Sequence, residues 1–236
     1  MKFTRILLKL SGEALMSDDE QYCHRKLTAL AQAIAQVTEM GVQVGIVVGA
    51  GNIFRARSAN LEIVDRVTAD NVGMLATIMN GAIVRDYLRG EGLQSRVLSP
   101  REQRPLTKSF ARDEALELMN RGHVLIFAGG TGNPYFTTDS AAALRALEIS
   151  ADALIKGTQV DGVYDKDPNK FDDAKRYEVL DYGQVIDQRL QVMDLTAVTL
   201  CEDQGLPMFV FDISDPNNLV KVIEGTQTGT WIKKES

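Results

Sequence analysis

The sequence is poor in the residue types that build most metal centres and disulfide frameworks. It contains two cysteines and two histidines among 236 residues. Cys23 and Cys201 lack metal-ligand spacing and are too few for a disulfide framework, which favours a reducing cytoplasm. His24 and His123 form no ligand or catalytic-triad pattern, so we predict structural or surface roles for both.

The chain also lacks an excess of basic charge and long apolar runs. Its net charge is −6, which argues against a general nucleic-acid-binding surface. No stretch approaches 18 consecutive apolar residues, and the opening MKFTRILLKLSGEAL has no signal-peptide core, so we expect no membrane span and a cytoplasmic location. Hydrophobic residues still make up 44% of the chain, which is enough for a substantial core.

The common nucleotide-binding signatures are missing. No G-x-x-x-x-G-K-[ST] occurs, which excludes a P-loop enzyme. GAGNIF and GTGNPY both lack the third glycine of the dinucleotide fingerprint, which speaks against nicotinamide chemistry. The H-R-D and D-F-G signatures of protein kinases are absent as well.

Strand-like and helix-like patterns alternate along the whole chain. Apolar runs predict strands at 5–10, 42–48, 95–99, 123–128, 152–156, 207–212 and 230–233. Helical spacing predicts helices at 24–41, 64–89, 111–122, 138–149, 194–205 and 216–225. This alternation is typical of a mainly parallel sheet with helices on both faces, a three-layer α/β/α sandwich in one domain, 1–236.

Three loops that follow predicted strands are rich in glycine or small residues: KLSGEA (9–14), GAGNIFR (49–55) and GGTGNPYFTTDS (129–140). Glycine lets backbone N–H groups approach an anion closely, and successive N–H groups form anion-binding nests. One such loop is weak evidence, because tight turns after strands are common. Three of them together predict a site that handles several phosphates.

Charged residues stand at the ends of these strands and loops. Lys9, Lys156 and Arg55 would bring three cations to one sheet edge, an arrangement that suits phosphoryl transfer. Asp139 lies in the first turn of a helix whose N-terminus should attract phosphate. A carboxylate there would repel the phosphate unless it holds a lysine ammonium or a magnesium ion, and both alternatives stay open.

Two further segments carry weaker signals. The acidic stretch 158–173 does not fit the EF-hand spacing, but its turns and tyrosine could frame a purine base. The methionine-rich stretch VGMLATIMN (72–80) is predicted to be core rather than site.

Six motifs, in this order, resemble those of bacterial-type uridylate kinases of the amino-acid kinase superfamily. They are LLKLSGEAL (7–15), GAGNIFR (49–55), DNVGMLATIMN (70–80), GTGNPYFTTDSAA (130–142), K-x-T-x-VDGVY-x-x-DP (156–168) and VMDLTA (192–197). The resemblance covers nearly the whole chain and implies the amino-acid kinase fold. It also implies the reaction of ATP with UMP to give ADP and UDP, in pyrimidine nucleotide synthesis.

The resemblance also implies roles for individual residues. The expected catalytic groups are Lys9, Arg55, Asp139 and Lys156. The expected ATP-binding residues are Lys9, Leu10, Ser11, Gly12, Gly51, Arg55, Thr158, Tyr164 and Asp167. The expected UMP-binding residues are Ala50, Asp70, Thr131, Gly132, Asn133, Pro134, Tyr135, Phe136, Thr137 and Thr138. Mg²⁺ is expected to arrive with ATP rather than at a metal site of the protein.

Ala50 departs from the family, which usually has glycine there; its methyl group needs room, and a positive φ would be costly. The implied assembly is a homohexamer activated by GTP and inhibited by UTP, with the helix at 64–89 as a candidate subunit contact. Residues 1–150 would form the UMP half and 151–236 the ATP half. Two other functions stay open: a carboxylate or carbamate kinase of the same fold, and a non-catalytic nucleotide-sensing or oxoanion-storing relative.

Overall fold

The structure, a computed structural model, describes residues 3–55, 63–226 and 228–234. The strands are β1 (Arg5–Leu10), β2 (Gln43–Val48), β3 (Ser95–Ser99), β4 (Lys108–Ser109), β5 (Val124–Phe127), β6 (Ala153–Thr158), β7 (Val179–Leu180), β8 (Met208–Asp212) and β9 (Thr230–Ile232). The helices are α1 (His24–Glu39), α2 (Arg66–Gly90), α3 (Arg112–Asn120), α4 (Thr138–Glu148), α5 (Tyr182–Asp187), α6 (Leu195–Gln204) and α7 (Asn218–Glu224). A 3₁₀ turn, Gly12–Leu15, follows β1.

The strands form one nine-stranded sheet in the order β4-β3-β5-β2-β1-β6-β8-β9-β7. Of the described strand pairs only β8–β9 is antiparallel; the others run parallel. The central strand β1 lies between β2 and β6, and its register places Lys9 opposite Lys156. The predicted α/β class with a mainly parallel sheet is confirmed.

Two hydrophobic clusters cover the two faces of the sheet. Residues of α1, α2 and α7 pack against Ile6, Leu8 and Leu10 of β1. Residues of α3, α4, α5 and α6 pack with Leu7 on the opposite face. Because side chains alternate along a strand, Lys9 shares the face of Leu7 and therefore lies beneath α4.

The predicted helices and long strands occur within a few residues of their expected bounds. The unpredicted elements are short: β4, β7, α5 and the 3₁₀ turn have two to six residues, too few to show a periodic pattern. Helix α2 begins at Arg66 because the Asp65 carboxylate caps it, accepting a hydrogen bond from Thr68 N at 3.1 Å.

The prediction that 72–80 is core is wrong for one face of α2. Val72, Leu75 and Met79 are 40%, 50% and 51% exposed, because helical spacing places them on the side away from the sheet. By length and composition α2 could cross a membrane, with a mean hydropathy of 1.2 in its best window. Since 44% of that window is buried, and core helices pass the same test, this is weak support for a span.

Candidate active site

Three charged side chains meet at the carboxyl edge of the sheet. Lys9 Nζ lies 2.5 Å from Asp139 Oδ1, and Lys156 Nζ lies 3.1 Å from Asp139 Oδ2. Lys156 Nζ also donates a hydrogen bond to the Val192 carbonyl. Asp139 thus contacts two lysines, where the sequence led us to expect one lysine or a magnesium ion.

Electrostatics within this cluster favours an ionised carboxylate. Burial by itself would raise the pKa of Asp139, but the charges and hydrogen bonds of Lys9 and Lys156 outweigh it, so this pKa lies below its usual range. For Lys156, burial outweighs the attraction of Asp139 and lowers the pKa of the ammonium. The cluster therefore brings two lysine side chains and one ionised carboxylate together at the carboxyl edge of the sheet.

The N-terminus of α4 is held by the carboxylate of Asp194, which lies in the motif VMDLTA (192–197) but was given no role of its own. Thr137 caps α4, its hydroxyl accepting from Asp139 N at 3.0 Å. Asp194 accepts hydrogen bonds from the hydroxyls of Thr137 and Ser140, the latter at 2.9 Å. It also caps α6 by accepting from Ala197 N at 2.8 Å. An aspartate directly before a helical pattern was the available signal.

The loops after β1 and β2 pack directly on each other. A Cβ at Gly12 would lie 2.3 Å from Asn52 Oδ1 and 2.8 Å from Gly51 N, so only glycine permits this approach. Ala50 is buried, and its backbone is outside the left-handed region. The methyl group of Ala50 is therefore accommodated without backbone strain.

Arg55 and Leu10, both expected to bind ATP, have different surroundings. Arg55 is 57% exposed, pairs with Glu13 and donates from Nε to the Gly51 carbonyl at 3.2 Å. The Leu10 side chain is fully buried in the core, and its carbonyl accepts from Gly49 N at 2.8 Å. Ser11 follows Leu10 and directly precedes the 3₁₀ turn.

The loop after β5 has an unusual backbone. Gly129, Gly130 and Gly132 have φ values of 83°, 59° and 82°, which explains the dense glycines at 129–132. Tyr135 also has a positive φ of 72°. Its N–H donates to Asp70 Oδ2 at 2.8 Å, so Asp70 contacts the segment with which it was expected to share UMP.

The remaining residues expected at UMP lie in the same loop. The Thr131 hydroxyl accepts from Asn133 N at 3.2 Å. Pro134 is half-buried, whereas Phe136 is 49% exposed. Thr138 begins α4, and its Oγ1 lies 3.5 Å from a Cβ placed at Gly49. The loops after β2 and β5 are therefore neighbours.

Lys156 also lines a cavity of about 510 Å³. Its wall includes Thr158, Tyr164 and Asp167, which were expected to bind ATP, and Lys156, which was expected to be catalytic. The Tyr164 hydroxyl donates to Asp161 Oδ1 at 2.6 Å, and this bond raises the pKa of Tyr164. Asp167 accepts from Asn169 N at 3.0 Å, which lowers the pKa of Asp167 and fixes the predicted turn.

The chain is similar to known proteins over nearly its whole length. The family model described as "Amino acid kinase family" matches residues 4–212. A uridylate kinase of Legionella pneumophila (strain Paris) is 48% identical over 98% of this chain and 94% of its own length. One of Pseudomonas paraeruginosa is 47% identical over 99% and 96%.

The chain belongs to the uridylate kinases of the amino acid kinase family.

Solved structures of this family share the fold. The UMP kinase of Bacillus anthracis superposes with a TM-score of 0.96 at 35% identity, covering 100% of this chain and 98% of its own. The UMP kinase of Ureaplasma parvum gives a TM-score of 0.94 at 37% identity, covering 99% and 100%.

The charged cluster does not fit a metal ion held by the protein alone. Among residues 3–55, 63–226 and 228–234, no three His, Cys, Asp or Glu side chains are grouped to hold one. Asp139 is the one carboxylate of the Lys9–Asp139–Lys156 cluster, and each of its oxygens lies within ion-pair distance of a lysine ammonium. The cluster presents donors suited to phosphate oxygens.

A second cationic depression, of about 520 Å³, lies away from this edge. It is bounded by the C-terminal half of α2 and the segment before and within β4. Its charged lining residues are Arg85, Arg89, Arg96, Glu102, Arg104 and Lys108.

Proposed function

We propose that this chain transfers the γ-phosphoryl group of ATP to the phosphate of UMP. An oxygen of the UMP phosphate forms a bond to the γ-phosphorus, the bond to the β–γ bridging oxygen breaks, and ADP leaves. The observation that carries this proposal is the Lys9–Asp139–Lys156 cluster, buried between a cavity on one side and glycine loops on the other.

The two lysines supply the charge that this reaction needs. Negative charge spreads over the transferring oxygens, and fixed cations in a dry site stabilise it. Asp139 holds both ammonium groups at defined positions and limits their mutual repulsion. Arg55, at the mouth of the second glycine loop, adds a third cation. Mg²⁺ is proposed to arrive with ATP.

The acceptor lies on the loop side of the cluster in this proposal. Backbone N–H groups of 50–51 face the phosphates, Asp70 accepts hydrogen bonds from the ribose hydroxyls, and 131–138 surrounds the nucleoside of UMP. The contact between Asp70 and Tyr135 N supports a shared pocket. ATP lies on the other side, with its nucleoside in the cavity lined by Thr158, Tyr164 and Asp167.

We further propose that the chain works in the cytoplasm in pyrimidine nucleotide synthesis, with 1–150 as the UMP half and 151–236 as the ATP half. A homohexamer is proposed, with α2 as a subunit contact. Its exposed Val72, Leu75 and Met79 support that role. GTP activation and UTP inhibition belong to the proposal, and the cationic depression beside α2 could hold an effector's phosphates.

The alternatives have less support. A carboxylate kinase has no need of Asp70 for ribose hydroxyls, and a storage or sensing relative has no need of the Lys9–Asp139–Lys156 cluster.

An acceptor panel tests the proposal. ADP release from Mg-ATP is measured with UMP, CMP, dUMP, acetylglutamate and aspartate offered separately. We expect strong turnover with UMP. Turnover with a carboxylate alone would show that the chain is a carboxylate kinase. Nucleotide binding without any turnover would favour the sensing or storage function.

A further inference from the structure

Helix α2 carries two buried polar side chains that face the sheet. Thr77 is 3% exposed and Asn80 is fully buried. They are three residues apart and therefore lie on one face of the helix. Burying a hydroxyl and an amide is costly unless each is hydrogen-bonded, so their partners indicate why they are there.

Thr77 holds the start of the loop after β5. Its hydroxyl donates to the Met74 carbonyl at 2.7 Å and accepts from Gly129 N at 2.8 Å. The N–H of Gly129 is buried and directly precedes the glycine turn at 130–132. Without the hydroxyl this N–H would lose the partner that fixes the turn against α2.

Asn80 holds the loop after β2. Its Nδ2 donates to the Gly49 carbonyl at 2.7 Å and to Asn52 Oδ1 at 2.8 Å. Asn52 Nδ2 in turn donates to Asn80 Oδ1 at 3.2 Å. The reciprocal amide pair spans the loop from its first residue, Gly49, to its fourth, Asn52.

Gly12 adds the third loop to this arrangement. Its closeness to Asn52 Oδ1 and to Gly51 N means that the loop after β1 rests on the segment that Asn80 fixes. One face of a single helix therefore sets the spacing between all three glycine loops.

We propose that Thr77 and Asn80 are positioning residues for phosphoryl transfer: they hold the acceptor loops at the separation that the reacting phosphates need. This inference rests on the proposed function. Neither residue contacts substrate in this account; both act through the backbone groups of Gly49 and Gly129. Small displacements of such groups are costly to rate because transfer depends on alignment.

The test uses four variants of the full chain. Thr77→Val removes the hydroxyl at nearly constant volume, Thr77→Ser restores it, and Asn80→Ala removes the amide. Tyr182→Phe is the matched control, because it deletes one buried hydroxyl, bonded to the Leu206 carbonyl, in the opposite core. Hydrogen–deuterium exchange and steady-state kinetics are measured for each, together with the melting temperature.

We expect Thr77→Val to speed exchange in the peptide around 129–133 and to raise KM for UMP about tenfold, equivalent to ~1.4 kcal/mol. KM for ATP should stay near the wild-type value, and Thr77→Ser should restore KM for UMP. Asn80→Ala should speed exchange around 49–54 and lower kcat about tenfold or more, since this loop faces the transferring phosphates. Tyr182→Phe should leave exchange in both loops, KM for UMP and kcat unchanged.

Two results would overturn the inference: unchanged loop exchange in Thr77→Val and Asn80→Ala, or activity losses in all variants, the control included, that merely follow the loss of melting temperature. Failure of the proposed function looks different, because wild-type enzyme would then not turn over UMP. Loop exchange still decides in that case whether α2 fixes the loops.

Discussion

The loops on the two sides of the lysine pair are held in place by different means. On the acceptor side, buried or half-buried side chains of α2 hold the backbone: Asn80 bonds Gly49, Thr77 bonds Gly129 and Asp70 bonds Tyr135. All three bonds join residues more than 30 positions apart along the chain. The positions of these loops are therefore set by tertiary packing.

On the proposed ATP side, the stretch 164–175 is held mainly by its own turns, whereas Val163 N and Arg176 Nη1 at its two ends donate to Thr230 Oγ1 and to the Gly229 carbonyl. Tyr164 bonds Asp161, Asn169 N bonds Asp167, and Lys175 N bonds Asp165. Loops with local, exposed hydrogen bonds open at lower free energy than buried ones. We infer that the stretch 164–175 opens more readily than the loops that α2 holds.

The largest loss of activity should come from substitutions of Asp139 and Lys9 in the charged cluster, which lies between the proposed acceptor loops and the proposed ATP cavity. Asp139→Asn and Lys9→Ala should each lower kcat by about 10²–10³-fold or more, because each disrupts preorganised charge around the transferring group. Asp139→Asn leaves two buried ammonium groups without a carboxylate, so the free energy of unfolding should fall by about 3 kcal/mol. Rates are therefore measured well below the melting temperature.

Glu148→Gln serves as the control, since it breaks an ion pair with Arg145 at the far end of the same helix. Near-normal turnover in the Asp139 and Lys9 variants would remove these groups from the mechanism.

The lysine on the ATP side should give a pH signature. The pKa of Lys156 is lowered by burial from its ordinary 10.5, so the rate should fall with rising pH before an ordinary lysine would titrate. Between the folded and unfolded pKa values the unfolded chain binds more protons, so stability contributed by this group rises with pH. Activity and this stability contribution should therefore move in opposite directions.

Rate and melting temperature are recorded together from neutral pH into the alkaline range. A Lys156→Arg variant keeps its charge there and should lose the alkaline fall, whatever its absolute rate. If the alkaline fall in rate persists unchanged in Lys156→Arg, the titrating group is not Lys156.

A smaller effect, confined to one side, is expected from Asp70→Asn. The amide keeps an acceptor for Tyr135 N but loses the charge that favours ribose hydroxyls, so KM for UMP should rise about tenfold. KM for ATP should not change. Asp113→Asn, at a 97% exposed position, provides the comparison; equal shifts in both Michaelis constants would break the division into two sides.

The smallest effect should follow from Ala50→Gly. Because Ala50 has no positive φ and its methyl group is already accommodated, restoring glycine should change KM for UMP by no more than about twofold. A large gain in UMP affinity would show that the methyl group obstructs the acceptor.

Much of this site could be predicted from the sequence because its parts follow strands. Strand ends at Lys9 and Lys156, and glycine loops after β1, β2 and β5, necessarily meet at one edge of a parallel sheet. The resemblance to uridylate kinases then gave these positions roles, and the family and fold are confirmed.

What could not be predicted are contacts that depend on packing between distant elements. Nothing in the spacing of Thr77 and Asn80 indicates that they bond Gly129 and Gly49, since buried polar partners appear only once α2 lies on the sheet. The exposed face of α2 was missed for the same reason. Sequence could tell neither that both lysines hold Asp139 nor that Asp194 links two helix ends.

In the proposed reaction, ATP and UMP are held at the same time on opposite sides of the Lys9–Asp139–Lys156 cluster, so that the phosphoryl group passes directly between them. Initial rates measured while ATP and UMP are varied against each other test it most directly. We expect intersecting double-reciprocal lines, as a ternary complex requires. Parallel lines, with label from γ-³²P-ATP retained on the protein in the absence of UMP, would contradict it.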